Sequence, residues 1–385
     1  MAEARVVCAM TAAGDSWDID TVRPALVAGV ADMMRWSPDT APAHPIAAMG
    51  EPMLALYDKD PDRAFAAIDH CATSEDPWMR AAVPLLRGTF GSMLGDMDRA
   101  ESDCKDALTA FRALGEVWGT AAVLIALAEF AKLRGDFAGA IAALGEAGSL
   151  GQQLGAWGDL SHIGGKLAAV WVRTGDLAGA RAALEQAGRN AIVRGAGHSD
   201  AEFWLGLVQA ELLYREGDTA AAARICAERL AWLEGKQSAW WHAIHAILQT
   251  RLALSVLADG DEERCRVLLA EALRIASDWV ELPAIADVID AIAMLVQRSG
   301  QRGRPGQDPA ARAAALLSAT LLGTAHSVRG CFDEGSLDAP AVREAVRTQL
   351  GPDEFGAAYE RGRALARDDA LALAAGAVAH PVAAW

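Results

Sequence analysis

The chain has 385 residues, with 51 acidic against 35 basic side chains for a net charge of −16. That balance argues against direct binding to a nucleic-acid backbone, which calls for a basic surface. The chain is 52% hydrophobic yet holds only three tyrosines, and no apolar run reaches the roughly 18 residues of a membrane span, so the composition favours close-packed helices over membrane or sheet.

From the N-terminus, Val6 to Ala13 is a short apolar stretch in which Glu3 offsets Arg5, a weak match to a secretory leader. The first repeat-like unit turns at Lys59. Ala64, Ile68 and Cys71 then stand 5, 9 and 12 residues on, and Asp60-Pro61 places proline in a first helical turn, where its missing N–H costs little.

From there the dipeptide Gly-Asp recurs at Gly95, Gly135, Gly175, Gly217 and Gly260, in steps of 40, 40, 42 and 43 residues. A period in this range marks a solenoid of one repeated supersecondary unit. Counted from each glycine, position +5 holds Ala100, Ala140, Ala180, Ala222 and Cys265, and position +9 holds Cys104, Leu144, Leu184, Cys226 and Leu269. Position +12 holds Ala107, Ala147, Ala187, Arg229 and Ala272, and position −7 holds Gly88, Ala128, Ala168, Ala210 and Ala253. Offsets of 5, 9 and 12 lie on one helical face. Each glycine therefore ends one helix in the left-handed conformation, and each aspartate caps the next. The small residues let the paired helices approach closely.

These columns resemble the tetratricopeptide repeat, with Trp171 at its aromatic position and Leu213 and Val256 in the next units. The resemblance implies an all-α fold, an α-α superhelix of antiparallel helix pairs. The array is expected over residues 1–300, with turns near 59, 95, 135, 175, 217, 260 and 300. A glycine-rich linker follows at 301–309, and a C-terminal helical cap at 310–377. Within that cap Asp338 is expected to start a helix after Leu337, before helices over Asp353 to Leu365 and Asp368 to Ala375.

Most residues that could carry chemistry have a packing explanation. Cys71, Cys104, Cys226 and Cys265 fall in core columns and form no CxxC pair, which points to a reducing, cytoplasmic compartment. Gly165-Lys166 and Gly235-Lys236 lack the hydroxyl residue of a phosphate-binding loop. His242 and His245 have ligand spacing on a helix but no third partner nearby. Trp118, Trp157, Trp204, Trp240, Trp241 and Trp279 cluster near the starts of first helices and are expected to fill the wedge between repeats. No catalytic residue, metal site or cofactor is expected.

In a tetratricopeptide array the first helix of each unit lines the concave groove. The resemblance carries that face onto Glu129, Lys132, His162, Arg173, Trp204, Glu211, Tyr214, Arg215 and Thr250, a mixture of charge, aromatic area and donors suited to binding a ligand or partner.

Two stretches carry a closer likeness. One runs from Asp76-Pro-Trp-Met-Arg through Leu94-Gly-Asp-Met-Asp-Arg-Ala100 to Phe111-Arg-Ala-Leu-Gly-Glu-Val-Trp-Gly119. The other is the tail, Ala319-Thr-Leu-Leu-Gly-Thr-Ala-His326 with Gly351-Pro-Asp-Glu-Phe-Gly-Ala-Ala-Tyr-Glu-Arg-Gly-Arg-Ala-Leu365 and Asp368-Asp-Ala-Leu371. Together they resemble the C-terminal repeat region of large actinobacterial transcriptional activators of the antibiotic-regulatory-protein type. In that family a winged-helix DNA-binding domain, a bacterial transcriptional activation domain and a nucleotide-binding switch domain precede the repeats. Here no basic recognition helix and no phosphate-binding loop is found, so those activities do not transfer to these residues. The resemblance implies a fragment or split-off module, or one whose protein partners supply the DNA-binding and nucleotide-hydrolysing domains. The expected function is a non-catalytic regulatory or sensor module that binds a protein, peptide or small ligand through the concave face. The alternative is a free-standing scaffold joining two proteins.

Overall fold

The structure, a computed structural model, describes residues 24–31, 49–155, 157–193, 200–234, 239–278, 281–301 and 309–380. Val6 to Ala13, most of the expected linker, Trp279 and the side chains of Trp157, Trp240 and Trp241 lie outside what is described. Every regular element among the described residues is a helix, without strands. After α1 (24–31), helices come in antiparallel pairs. The first pairs are α2 (Gly50–Tyr57) with α3 (Pro61–Cys71), α4 (Pro77–Met93) with α5 (Met97–Leu114), and α6 (Val117–Leu133) with α7 (Phe137–Leu154). They continue as α8 (Trp157–Thr174) with α9 (Leu177–Val193), α10 (Asp200–Arg215) with α11 (Thr219–Leu233), and α12 (Ala239–Ala258) with α13 (Glu262–Ser277).

The turns obey the chemistry of the Gly-Asp step. All five period glycines are left-handed, with φ between 74° and 94°, a region that penalises a Cβ. At the degenerate turn Lys59 takes the same conformation, φ 60°, the only described non-glycine residue to do so. The following aspartates cap. Asp136 accepts from the Gly139 N–H at 2.9 Å, Asp176 from Gly179 at 2.8 Å, and Asp218 and Asp261 from Ala221 and Arg264 at 3.0 Å each. Asp96 occupies the same place but makes no such bond.

The small columns are where the paired helices meet. Ala100, Ala140, Ala180, Ala222 and Cys265 are all buried, as are Ala128, Ala168, Ala210 and Ala253. At Gly88 a Cβ would lie 2.5 Å from Cys104 Sγ and 2.7 Å from the Ala100 carbonyl, so α4 and α5 cross with no room for a methyl. Cys71, Cys104, Cys226 and Cys265 are buried, and burial pushes their thiols up to about 11, 12, 11 and 12, as core packing demands. Trp78 and Trp118, opening successive first helices, stack at 6.2 Å between repeats, over the fully buried Phe111.

The array runs further than the sequence boundary at 300. Gly300 is the last residue of α14 (Leu282–Gly300), not a left-handed turn, and α14 pairs with α15 (Pro309–Arg329) as the earlier helices pair. Buried Ser318 on α15 donates to the Ala293 carbonyl at 2.9 Å, as Ser161 on α8 donates to Ala187 of α9 at 3.0 Å. So α15 is the second helix of a seventh unit. Only α16 (Ala339–Leu350), α17 (Pro352–Arg363) and α18 (Arg367–Ala379) are additions, with α17 laid along α15 and α18 across α13, α14 and α15.

First helices touch first helices (α4 with α6, α8 with α10, α10 with α12, α12 with α14), which makes them the inner layer. The superhelix then closes on itself. Helix α14 packs against α4, Ala243 of α12 and Ala284 of α14 join the apolar core of the N-terminal units, and Lys59 Nζ donates to the Asp278 carbonyl.

Candidate functional site

Between α15 and α16, residues 330–338 cross the inner face at the turn ends of the first helices. Gly330 lies so close to Gly95 that a side chain would collide with its carbonyl, and the Gly335 N–H donates to the Leu133 carbonyl at 3.3 Å. Next, Asp333 receives Arg173 Nη1 at 3.0 and 3.1 Å, one oxygen each. At the end of the segment Asp338 takes both terminal nitrogens of Arg215, at 2.8 and 2.5 Å. Asp338 does stand at the N-cap of α16, yet makes no cap bond, because its carboxylate is turned to Arg215. Burial opposes its charge, but Arg215 holds it below the usual carboxylate range.

Where the concave face meets Arg173 and Arg215, the chain's own residues occupy it. Arg173 and Arg215 are neither free nor peripheral: their side chains are 21% and 17% exposed and clamp the crossing segment. Glu211 bonds Arg215 Nε at 2.8 Å and pairs with Arg251. The Arg215 guanidinium also lies 5.0 Å over the Tyr214 ring, and Tyr214 packs on the C-terminal core. Trp204 packs partly buried on the cluster around Ala210 and Cys226.

Glu129, Lys132, His162 and Thr250 all stand on first helices of the inner layer. Glu129 on α6 is held by Lys132 and, at 2.9 Å, by Lys166. Burial would raise its carboxyl, but the two lysines outweigh it and keep the group ionised well below the ordinary range. Beside them burial, with Lys166, lowers the His162 imidazole to about 3, so it stays neutral. Thr250 is buried, its hydroxyl donating to the Ala246 carbonyl at 2.7 Å.

Sequence reasoning missed the acidic side of this hub. Arg329, at the end of α15, is 1% exposed and reaches Asp287 and Asp290 of α14, each at 2.7 Å. Burial raises the Asp290 carboxyl to about 6, although Arg329 draws it down. The group's Oδ1 and the Arg329 Nε and Nη1 are buried and meet no protein partner. The available signal was the spacing of Asp287 and Asp290 on one face of an otherwise apolar helix. Between the crossing segment and α8, α12 and α14 lies a cavity of about 70 Å³, lined by Arg173, Thr250, Arg251, Asp287, Asp290 and Asp333 among others. Its walls carry both signs of charge and, from Ile247, Leu254 and Met294, an apolar side.

His242 and His245 are lowered chiefly by burial, and among the described residues no cluster of three or more His, Cys, Asp or Glu has a metal-binding arrangement. No described helix is long and apolar enough to cross a membrane. No protein-family model matches the chain, and no curated protein sequence matches it.

Proposed function

We propose that this chain is a non-catalytic regulatory module that senses a small molecule at the hub of its closed superhelix. One observation carries the reading: residues 330–338 cross the turn ends of the inner layer and border a charged cavity of about 70 Å³, a volume suited to a small ligand. A ligand there touches the crossing segment directly, and that segment leads straight into α16, which packs on α14, α15 and α17. Occupancy of the hub is thereby coupled to the C-terminal helices, the surface through which a partner would read it. The resemblance of the tail to activators of the antibiotic-regulatory-protein type supports a DNA-binding and nucleotide-switch partner in the cytoplasm.

The test is capture of such activator domains by the full chain, alongside thermal melting against a panel of amino acids, amines, carboxylic acids and sugars. The expected result is association with the activator domains and a rise in melting temperature for one small-molecule class. Binding of extended peptides with no small-molecule response would sink this reading in favour of the scaffold.

A further inference from the structure

The superhelix closes along a seam between its first and last units. Ala243 on α12 and Ala284 on α14 are 3% and 4% exposed and belong to the apolar core of the N-terminal units. Beside them Lys59 Nζ, from the turn between α2 and α3, donates to the carbonyl of Asp278 at the C-cap of α13. A lysine there also meets the negative end of the helix dipole. The buried side chains that α12 and α14 bring to that core are two alanines, which bury little area. The polar contact next to them therefore weighs heavily in holding the ring shut.

His242 is adjacent to Ala243 on α12, half-buried, and faces this contact. Burial disfavours its charged form, and so do Lys59 from the N-terminal turn and Arg274 from α13, while Asp278 acts the other way. His245, one turn on along α12, is likewise lowered chiefly by burial, with Glu271 and Arg274 facing it. Both α13 carboxylates are drawn to one guanidinium: Glu271 reaches Arg274 at 2.6 Å and Asp278 at 3.7 Å. From α14, Glu281 stands three residues before Ala284 but is set against Asp287. No anion near His242 is thus left uncommitted to receive it as a cation.

We propose that the closure of Lys59 on Asp278 is an acid-sensitive latch, in which a proton on His242 sets a cation beside Lys59 and loosens the seam. In the closed ring the imidazole sits below its ordinary 6.5; in the open one it is solvated and returns to that value. The open form binds the proton more tightly, so the closed form is disfavoured as pH falls through 6.5. Glu281, raised to about 7, works in the opposite sense, because its protonation removes a buried charge. Asp290, raised to about 6, titrates at the hub against Arg329. Chains that differ only at His242 separate the latch from both. Helix α14 carries Asp287 and Asp290 as well as Ala284, so loosening the seam reaches the hub from its other end. The latch holds whatever the hub binds.

The test places a thiol at the seam of the full chain. In an Ala284→Cys variant, labelling of that thiol by N-ethylmaleimide is followed by mass spectrometry and divided by its rate in the same chain denatured at the same pH. A second chain adds His242→Gln, which stays neutral. The two are expected to be equally protected at about pH 7.5, and at about pH 5.5 the chain with histidine should label at least about threefold faster. Lys59→Gly keeps the left-handed turn, removes the cation and should erase most of that difference. If the thiol variant folds poorly, small-angle scattering of the parent and His242→Gln at the lower pH reads the same event, the parent having the larger radius of gyration. Equal labelling at both pH values, a difference of the same size at both, or a difference undiminished by Lys59→Gly overturns the latch, as do equal radii.

Discussion

Arg173 and Asp333 stand 160 residues apart in the chain and meet at the hub, one guanidinium nitrogen within 3.0 and 3.1 Å of both carboxylate oxygens. The Asp333 side chain is 6% exposed, so removing its partner strands a buried charge. Arg173→Met is expected to destabilise the fold by about 2–4 kcal/mol. It should also speed hydrogen exchange at the Gly335 amide. The control is Arg312→Met: that side chain pairs with Glu354 at 2.7 Å, but the two are 60% and 46% exposed, so about 0–1 kcal/mol is expected. Equal losses in denaturant melts would show that the hub does not anchor the segment.

The tail contains a crossing that depends on missing side chains. A Cβ on Gly323 of α15 would collide with the Tyr359 carbonyl, and one on Gly362 of α17 with the Thr320 carbonyl. His326 Nδ1 and the Tyr359 hydroxyl, 2.7 Å apart, bond across the same contact. Gly323→Ala should lower stability by about 2–3 kcal/mol through overpacking. Gly356→Ala on α17, where a methyl meets open space, should be neutral or gain about 0.5–1 kcal/mol. Thermal melts of the two variants decide it.

Burial, with the charge of Asp287 beside it, raises the Glu281 carboxyl from 4.5 to about 7. The folded state therefore holds a proton that the unfolded chain releases near pH 4.5. Stability from this group is complete below pH 4.5 and is lost as the pH rises through about 7. Glu281→Gln should match the parent near pH 4 and exceed it by about 1 kcal/mol at pH 8, given that the side chain is only half-buried. A constant difference across that range in denaturant titrations would refute the shift.

The caps offer an internal comparison. Asp218 bonds the Ala221 N–H and Asp96, in the equivalent place, bonds none. Asp218→Ala is expected to cost about 1 kcal/mol, and Asp96→Ala a few tenths from the helix dipole alone. Chemical denaturation of the pair measures the difference.

What was legible in the chain was whatever repeats. Gly135, Asp136, Ala140 and Leu144 each do in their unit what their counterparts do 40 residues away, so one local rule predicts many positions. The interior of the ring has no such rule. Asp333 and Asp338 lie outside the period, and their partners Arg173 and Arg215 were visible only as groove residues awaiting something. Asp290 was hidden because two carboxylates on an apolar helix, Asp287 and Asp290, read as an exposed break until Arg329, 39 residues on, is seen to pair with Asp290. At Trp204 the sequence was ambiguous, because an aromatic in that register serves equally as a groove anchor or as packing.

The contact of Lys59 with Asp278 carries a constraint on descent. An open solenoid can gain or lose a unit at either end and keep its neighbours' packing intact. Where α14 meets α4 that freedom is lost: a whole repeat inserted between Lys59 and Asp278 would part the two helices and break the contact. Among the described residues the stretch from α4 to α14 therefore accommodates substitution more readily than the gain or loss of a unit.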